Sequence, residues 1–211
     1  MKIDCQRGTV EKDRTRNRTK RRLCAVLLVV FGTVTACSVL AKMSESVVDE
    51  SAGLNGDFEI TRTGRPVNWH LYSPRTVPDS DFDLVIDREN FKSGKQSLKF
   101  VVRECSEVGG WHSPGFTRQV PADPGATYIV SFWVKNQGTE FKFTVGGVNA
   151  FDGEYGVDVR SSESIEDWKK MEYEFRMPEE YKQLRIELNV LKPGTFWIDR
   201  LNVEKVEGPA A

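Results

Sequence analysis

Apolar and polar residues alternate one by one through most of the chain after residue 54. In the first such segment, Phe82, Leu84 and Ile86 are separated by polar or smaller residues, and four further segments repeat the pattern: 98–103, 141–145, 171–177 and 184–190. Side chains of a strand point alternately to opposite faces, so this period marks strands with one buried face and one wet face, as in antiparallel sheets. No stretch keeps a helical period over ten residues. The pattern predicts an all-β fold, a two-sheet antiparallel β-sandwich of about eight to ten strands.

One segment breaks the alternation. In FWIDRLNV at 196–203, Phe196 and Ile198 share one parity, whereas Leu201 and Val203 share the other. An extra residue must therefore be absorbed at Asp199-Arg200, and a β-bulge does this while redirecting a side chain. We expect Asp199 to be turned toward the edge of the sandwich.

The start of the chain has the character of an export signal. The first 22 residues hold nine basic and three acidic side chains, and residues 23–36 are uncharged. A basic stretch followed by an apolar run is typical of a secretory signal. The alternative is an uncleaved N-terminal membrane helix, because residues 23–41 form an uncharged run just long enough to cross a bilayer. Either interpretation places the rest of the chain outside the cytoplasm, since the basic flank stays inside.

The sequence Val34-Thr35-Ala36-Cys37 resembles the lipobox of bacterial lipoproteins, in which the cysteine is lipidated and becomes the new N-terminus. Ser38 follows, and the absence of an acid there favours the outer membrane. We therefore expect an exported protein of the cell envelope, an outer-membrane lipoprotein that faces the periplasm or the surface.

The chain divides into four predicted parts: a leader and signal or anchor at 1–36, a small, polar and acidic tether at 37–53, one domain at 54–206 and a tail at 207–211. From Cys37 onward there are 21 basic and 28 acidic residues, a net charge of −7. An acidic body argues against nucleic acid as a partner, because phosphates need basic side chains. Cys105 is the only cysteine of the domain, so no disulfide can form within it, and we interpret this residue as a small buried hydrophobe or a loop thiol.

Three fragments carry a family resemblance: NGDFEI at 55–60, SGKQSLKF at 93–100 and FWIDRLNV at 196–203. The segments PGATYIVSFWVK at 124–135 and MEYEF at 171–175 add to it. Together they resemble the carbohydrate-binding modules of the family four/nine type, which are galactose-binding-like β-jelly rolls. The resemblance covers residues 54–206 and implies a jelly roll that binds a glycan. The segment CSEVGGWHS at 105–113 departs from the family's pattern.

The same resemblance implies a structural Ca²⁺ at the rim of the sandwich. Its side-chain ligands would be Glu59 and Asp199, and backbone carbonyls would come from Asp57, Lys92 and Lys95. Carboxylate and carbonyl oxygens suit Ca²⁺ better than zinc, which prefers His or Cys. The alternative is that the two acids are simply solvated, or form salt bridges with Arg200 or Lys95.

Sugar binding calls for aromatic faces on the wet side of strands or in rim loops. The strongest candidate is Trp111, which lies in glycine- and turn-rich company, and Trp133 is expected on the outer face of its strand. Trp69, Tyr72 and Tyr155 are further candidates, the last in a glycine-rich loop where Asn149 and Asp152 would supply hydrogen bonds. Trp168 and Trp197 are assigned to packing. For each candidate the alternative is a core or edge-sealing role, the usual one for large aromatics.

No catalytic signature accompanies these residues. A glycosidase needs two carboxylates across a cleft, and no acidic pair here lies in a recognisable motif. His70 and His112 have no metal-ligand spacing, and there is no GxSxG elbow. We therefore predict non-catalytic glycan binding. The alternatives are an envelope or adhesion protein that uses the fold for protein contacts, and an accessory module of a separately encoded glycoside hydrolase.

Overall fold

A computed structural model describes residues 46–206 of the chain. These residues form twelve strands and two short 3-10 helices, Glu50–Ala52 and Gly110–His112. The strands are β1 (Thr61–Arg62), β2 (Arg65–Pro66), β3 (His70–Tyr72), β4 (Asp81–Asp87), β5 (Ser97–Glu104), β6 (Gly115–Pro121), β7 (Thr127–Gln137), β8 (Phe141–Val148), β9 (Gly153–Ser161), β10 (Ile165–Arg176), β11 (Gln183–Val190) and β12 (Gly194–Lys205).

Ten of these strands form two five-stranded antiparallel sheets. Sheet A has the order β3-β6-β11-β8-β9, and sheet B has the order β10-β7-β12-β5-β4. The short β1–β2 pair stands apart from both. The prediction of a two-sheet antiparallel sandwich is confirmed.

The core lies between the inner faces of the two sheets. From sheet A, Leu184, Ile186 and Leu188 of β11 are fully buried, and from sheet B the alternate residues Val130, Phe132 and Val134 of β7 are fully buried. The rings of Phe132 and Phe143 meet across this layer, with centroids 4.2 Å apart. Burial of side chains of this size stabilises the fold by about 1.5–3 kcal/mol each. Because the period is two, the intervening residues of β11 stand on the outer face of sheet A.

Trp69 belongs to this core. It is 1% exposed, its ring centroid lies 4.8 Å from that of Phe116, and its indole nitrogen donates to the backbone oxygen of Asn55 at 2.9 Å. The prediction that Trp69 contacts a sugar is therefore wrong, because the ring is enclosed and its polar atom is already paired.

The predicted bulge in β12 is present. Asp199 pairs with Trp133, the next paired residue is Asn202, and Arg200 has a φ of 52°. Asp199 is the last regularly paired residue before the bulge, and its side chain is fully buried although β12 is the middle strand of sheet B, so the expected turn toward the edge of the sandwich is not seen. At the same place the amide of Leu201 donates to the backbone oxygen of Gly56 at 2.8 Å, which joins the first segment of the domain to its last strand.

The last residues of the predicted tether are folded onto the domain. The Asn68 side chain accepts a hydrogen bond from the Asp49 amide and donates one to the Asp49 carbonyl, both at 2.7 Å. The leader at 1–36, the lipidation candidate Cys37 and the tail at 207–211 lie outside the described residues. Within 46–206, none of the helices has the length and apolar character needed to cross a membrane.

Candidate functional site

A groove of about 370 Å³ lies on the outer face of sheet A. Its floor is built from the outward-facing residues of the two central strands, with Glu187 and Asn189 on β11 and Lys142 and Thr144 on β8. Aromatic residues from three other elements line it, namely Tyr72, Trp111 and Tyr155. The groove thus combines a polar floor with aromatic walls.

Trp111 is presented by a tightly held turn. It lies in the 3-10 helix Gly110–His112, and the Gly110 amide donates to Oδ1 of Asn189 while Nδ2 of Asn189 donates to the Gly110 carbonyl, both at 2.9 Å. The indole is 60% exposed and contacts the ring of His112, with centroids 3.6 Å apart. The segment that departs from the family's pattern is therefore the one that supplies an aromatic wall.

Tyr72 and Glu187 form a hydrogen-bonded pair in the groove. The phenol donates to Oε1 of Glu187 at 3.1 Å. Burial and the neighbouring carboxylate both raise the pKa of Tyr72, so the phenol stays protonated at neutral pH. Glu187 is nearly buried and accepts hydrogen bonds only, which makes it a suitable acceptor for a ligand hydroxyl.

Tyr155 reaches the groove through a second bulge. We predicted a loop position, but the residue lies in β9, where the register shifts between Val145 and Gly146 of the neighbouring strand. Val157 faces the core, and the shift puts Tyr155 on the outer face, where it is 51% exposed. Gly146 is required here, since a Cβ would lie 2.0 Å from the backbone oxygen of Glu154. Gly146, which allows this close approach, lies in β8 and not in the glycine-rich segment that suggested a loop.

A second cavity of about 240 Å³ adjoins the groove and shares Tyr155 and Arg185 with it. It surrounds the β8–β9 turn, in which Oδ1 of Asn149 accepts from the amides of Phe151 and Asp152 at 2.7 and 3.0 Å. Asn149 thus holds the turn with its side-chain oxygen. Sequence reasoning missed Phe151, which is 96% exposed at the tip of this turn. An aromatic inside an Asn-Ala-Phe-Asp-Gly turn was the signal that could have identified it.

Trp133 lies elsewhere. It is on the outer face of sheet B, as the alternation of β7 predicted, with the Lys92 ammonium 3.9 Å from its ring centre. The groove is on the outer face of the opposite sheet, so Trp133 cannot contact the same sugar as Trp111. Trp197 has the packing role assigned to it: it is buried, and its indole donates to Oδ2 of Asp87 at 2.8 Å.

Two carboxylates meet backbone amides at the rim. Oδ2 of Asp199 accepts from the amides of Lys92 and Ser93 at 2.8 and 3.1 Å, and Oε1 of Glu59 accepts from the amide of Lys95 at 2.7 Å. The turn between them needs glycine, because a Cβ at Gly94 would lie 2.2 Å from Oε1 of Glu59.

The charges at the rim bear on the expected Ca²⁺. Burial raises the pKa of Asp199, and the charge of Glu59 adds to this effect, although three backbone amides oppose it. Within 46–206 neither acid forms a salt bridge with a basic side chain, and no cluster of three or more His, Cys, Asp or Glu surrounds them. The two carboxylates supply oxygens of the kind that Ca²⁺ prefers, and these oxygens already accept hydrogen bonds from backbone amides, including those of Lys92 and Lys95. The two carboxylates do not fit the salt-bridge alternative.

Cys105 follows β5 and packs half-buried against the core. Burial and the charge of Glu107 raise the pKa of its thiol to about 11, so the thiol is protonated at neutral pH. This agrees with a small hydrophobe rather than a nucleophile.

The family of the chain follows from comparison with known sequences. A family model described as a carbohydrate binding domain, of the four/nine type, matches residues 50–194. The chain belongs to this family. It is a carbohydrate-binding module, and the resemblance seen in the three fragments is confirmed. No curated protein sequence matches the module.

Solved structures place the module among known jelly rolls. A CBM4 structure is 14% identical, with 72% of this chain and 98% of that chain covered and a TM-score of 0.55. The CBM22-2 xylan-binding domain of Paenibacillus barcinonensis Xyn10C is 18% identical, with 72% and 98% covered and a TM-score of 0.51. The enzymatically active domain of bacteriophage CBA120 tailspike protein 4 is 16% identical, with 76% of this chain but 21% of that chain covered and a TM-score of 0.51. At these identities the similarity establishes the fold.

Proposed function

We propose that the module binds its carbohydrate in the groove of sheet A, with Trp111 and Tyr155 against the faces of sugar rings and Glu187 accepting from a hydroxyl. The observation that carries this proposal is that two exposed aromatic side chains flank one polar floor. Trp111 is held by the hydrogen bonds between Gly110 and Asn189, and Tyr155 is placed by the register shift between β8 and β9. An exposed aromatic gives the domain little core energy, whereas it offers a flat apolar face to a ligand. The ligand would be a polysaccharide chain, a type of ligand named for the xylan-binding structural relative.

Binding in this groove would be non-catalytic. A glycosidase places two carboxyl groups on either side of the scissile bond, about 5–9.5 Å apart. Of the described residues that line the groove, Glu187 is the one carboxylate, and it is already paired with Tyr72. A single engaged carboxylate supplies hydrogen bonding but not the acid and base pair.

Affinity gel electrophoresis on a panel of soluble polysaccharides tests the site. The wild-type module should be retarded by at least one polysaccharide, and Trp111→Ala or Tyr155→Ala should abolish or strongly reduce that retardation. Trp133→Ala is the matched control, because it removes an indole from the opposite sheet. Equal loss of binding in Trp133→Ala and Trp111→Ala would contradict the proposed position of the site, and retention by no polysaccharide would contradict glycan binding by this chain.

We also propose a structural Ca²⁺ at the rim, held by Glu59 and Asp199 together with backbone carbonyls of Asp57, Lys92 and Lys95. The ion would neutralise the two carboxylates and join the first segment to β12. A chelator should lower the melting temperature, and added Ca²⁺ should restore it, since a ligand bound only to the native state stabilises that state. Asp199→Asn should remove the response to Ca²⁺. An unchanged melting temperature in chelator would show that no ion is bound.

For location and partners we propose an exported lipoprotein that is anchored through Cys37 and acts beside a separately encoded glycoside hydrolase. The basic leader, the apolar run and the lipobox-like sequence support export. The occurrence of the fold as a minor part of an enzymatically active tailspike chain supports an enzymatic context. Metabolic labelling with a radioactive fatty acid should mark the wild-type protein but not Cys37→Ala, and labelling of both would refute this anchor.

A further inference from the structure

Arg185 occupies the boundary between the groove and the second cavity and lines both. It stands on the outer face of β11, with Gln119 beside it on β6 and Gly146 beside it on β8. Neither neighbour across the sheet carries a negative charge. Because Gly146 has no side chain, the backbone of β9 at Glu154 and Tyr155 approaches β8 closely at this position.

The guanidinium has no partner in the described part of the chain. Its Nε is the one buried side-chain nitrogen or oxygen of residues 46–206 without a hydrogen bond, and Arg185 forms no salt bridge or ring contact there. A buried unpaired polar group is costly and rare in native proteins, so each calls for an explanation. Either this nitrogen stays without a hydrogen bond at a cost in stability, or its hydrogen-bond partner is a ligand that binds from outside the chain.

The other charged groups of the groove are already engaged. Lys142 pairs with Asp158 at 3.3 Å, and Glu187 accepts from the Tyr72 phenol. Asp152 lines the second cavity and forms no salt bridge with Arg185. Among the described cations that line the groove, Lys142 forms a salt bridge and Arg185 does not, and Arg185 lies where a ligand that follows the aromatic walls would pass.

We propose that Arg185 binds the carboxylate of a uronic acid residue, so that the glycan recognised by this module is an acidic polysaccharide. This inference rests on the proposed groove and names the class of its ligand. A guanidinium presents parallel N–H donors that match a carboxylate in a bidentate geometry, and such charge-assisted bonds are among the strongest in proteins. A neutral hydroxyl would satisfy one donor and leave the half-buried charge without a counter-charge.

The net charge of the chain sharpens the inference. The part from Cys37 onward is acidic, with a net charge of −7, so it has no general attraction for a polyanion. A preference for an acidic glycan must therefore come from a local cation in the binding site. The rest of the chain repels an acidic polysaccharide, so the contribution of one arginine to its affinity can be measured.

The test compares acidic polysaccharides with chemically matched neutral ones. Polygalacturonate, alginate and hyaluronan are each offered beside their carboxyl-reduced forms, at one fixed ionic strength, to the wild-type module and to Arg185→Gln. Wild type should bind at least one acidic polysaccharide about 10- to 100-fold more tightly than its reduced form, the range expected for a hydrogen-bonded charge pair. Arg185→Gln should lose that preference, and Arg176→Gln, which removes an exposed arginine from sheet B, should keep it.

The outcomes separate this inference from the proposed function. Equal wild-type affinity for each acidic polysaccharide and its reduced form would overturn the role of Arg185 but leave glycan binding in the groove intact. A preference that survives in Arg185→Gln would also overturn it. Binding to no polysaccharide, acidic or neutral, would overturn the proposed function itself. If Arg185→Gln does not fold, the comparison of acidic and carboxyl-reduced polysaccharides with the wild-type module still decides the ligand class. Arg185→Lys then tests whether a positive charge without the parallel N–H donors of a guanidinium is sufficient.

Discussion

Replacement of Asn189 by alanine should weaken glycan binding without touching a residue of the aromatic walls. The Asn189 side chain is buried and makes two hydrogen bonds to the backbone of Gly110, one as acceptor and one as donor. No other side chain bonds to Gly110 within the described residues. Asn189→Ala therefore removes both links between β11 and the turn that carries Trp111.

The size of the effect follows from the two bonds. Each neutral hydrogen bond contributes about 0.5–1.5 kcal/mol net, so the variant should lose about 1–3 kcal/mol of unfolding free energy. For a domain of this size each kcal/mol corresponds to about 2–4 °C in melting temperature. Binding should weaken as well, because the apparent dissociation constant rises as the fraction of molecules with a correctly formed Trp111 turn falls.

Two measurements separate these effects. Urea unfolding gives the free energy, and isothermal calorimetry with the polysaccharide that wild type binds gives the affinity. Asn202→Ala is the matched control, because that asparagine is exposed on β12 and bonds to the exposed Glu204. Unchanged stability in Asn189→Ala would refute the reasoning about the turn, and reduced stability with full affinity would contradict the dependence of binding on these two hydrogen bonds.

Two further predictions concern Asp87 at the end of β4 and the β8–β9 turn. Burial disfavours ionised Asp87, but hydrogen bonds from Trp197 and two backbone amides outweigh it and hold its pKa at about 2. Because the folded pKa lies below the ordinary value of 3.8, Asp87→Asn should cost about 2 kcal/mol at neutral pH. Urea unfolding should show this difference shrink as the pH falls from about 4 to about 2, and a constant difference would contradict the assignment. Phe151→Ala should leave stability within about 0.5 kcal/mol, since the ring is exposed, while calorimetry should show weaker binding of long oligosaccharides but not of short ones. Equal weakening for all lengths would contradict a peripheral position.

Much of the sandwich could be predicted from local patterns. Strands β4, β5, β8 and β11 have unbroken alternation, and the bulge at Asp199 was visible because the parity of apolar residues changed within one short segment. In each case the information lies in neighbouring residues, and the physical cause is one buried face per strand. The rim acids were found through a resemblance that is itself made of such local fragments.

The groove could not be predicted in the same way. It depends on the order of strands in sheet A, where β11 lies between β6 and β8, and such pairings join residues that are far apart in the sequence. Trp69 illustrates the difficulty, since a tryptophan beside polar residues has the same local pattern whether it lines a groove or fills a core. The loop predicted around Tyr155 is wrong for another reason: the glycines at 153 and 156 suggested a loop, whereas both lie in β9, and a Cβ at Gly156 would lie 2.6 Å from the ring of Phe175.

Because side chains of β11 alternate between the core and the groove, substitutions at its inward and outward positions have different effects. Leu184, Ile186 and Leu188 face the core, so exchanges there change packed volume and cost stability. Arg185 and Glu187, one step along the chain, face the groove, where an exchange alters contacts to the proposed ligand and leaves the core volume unchanged. The inward and outward positions of one strand can therefore be varied separately. A mutant library limited to the outward positions of β11 and β8 would sample new sugar preferences while the core that folds the domain stays unchanged.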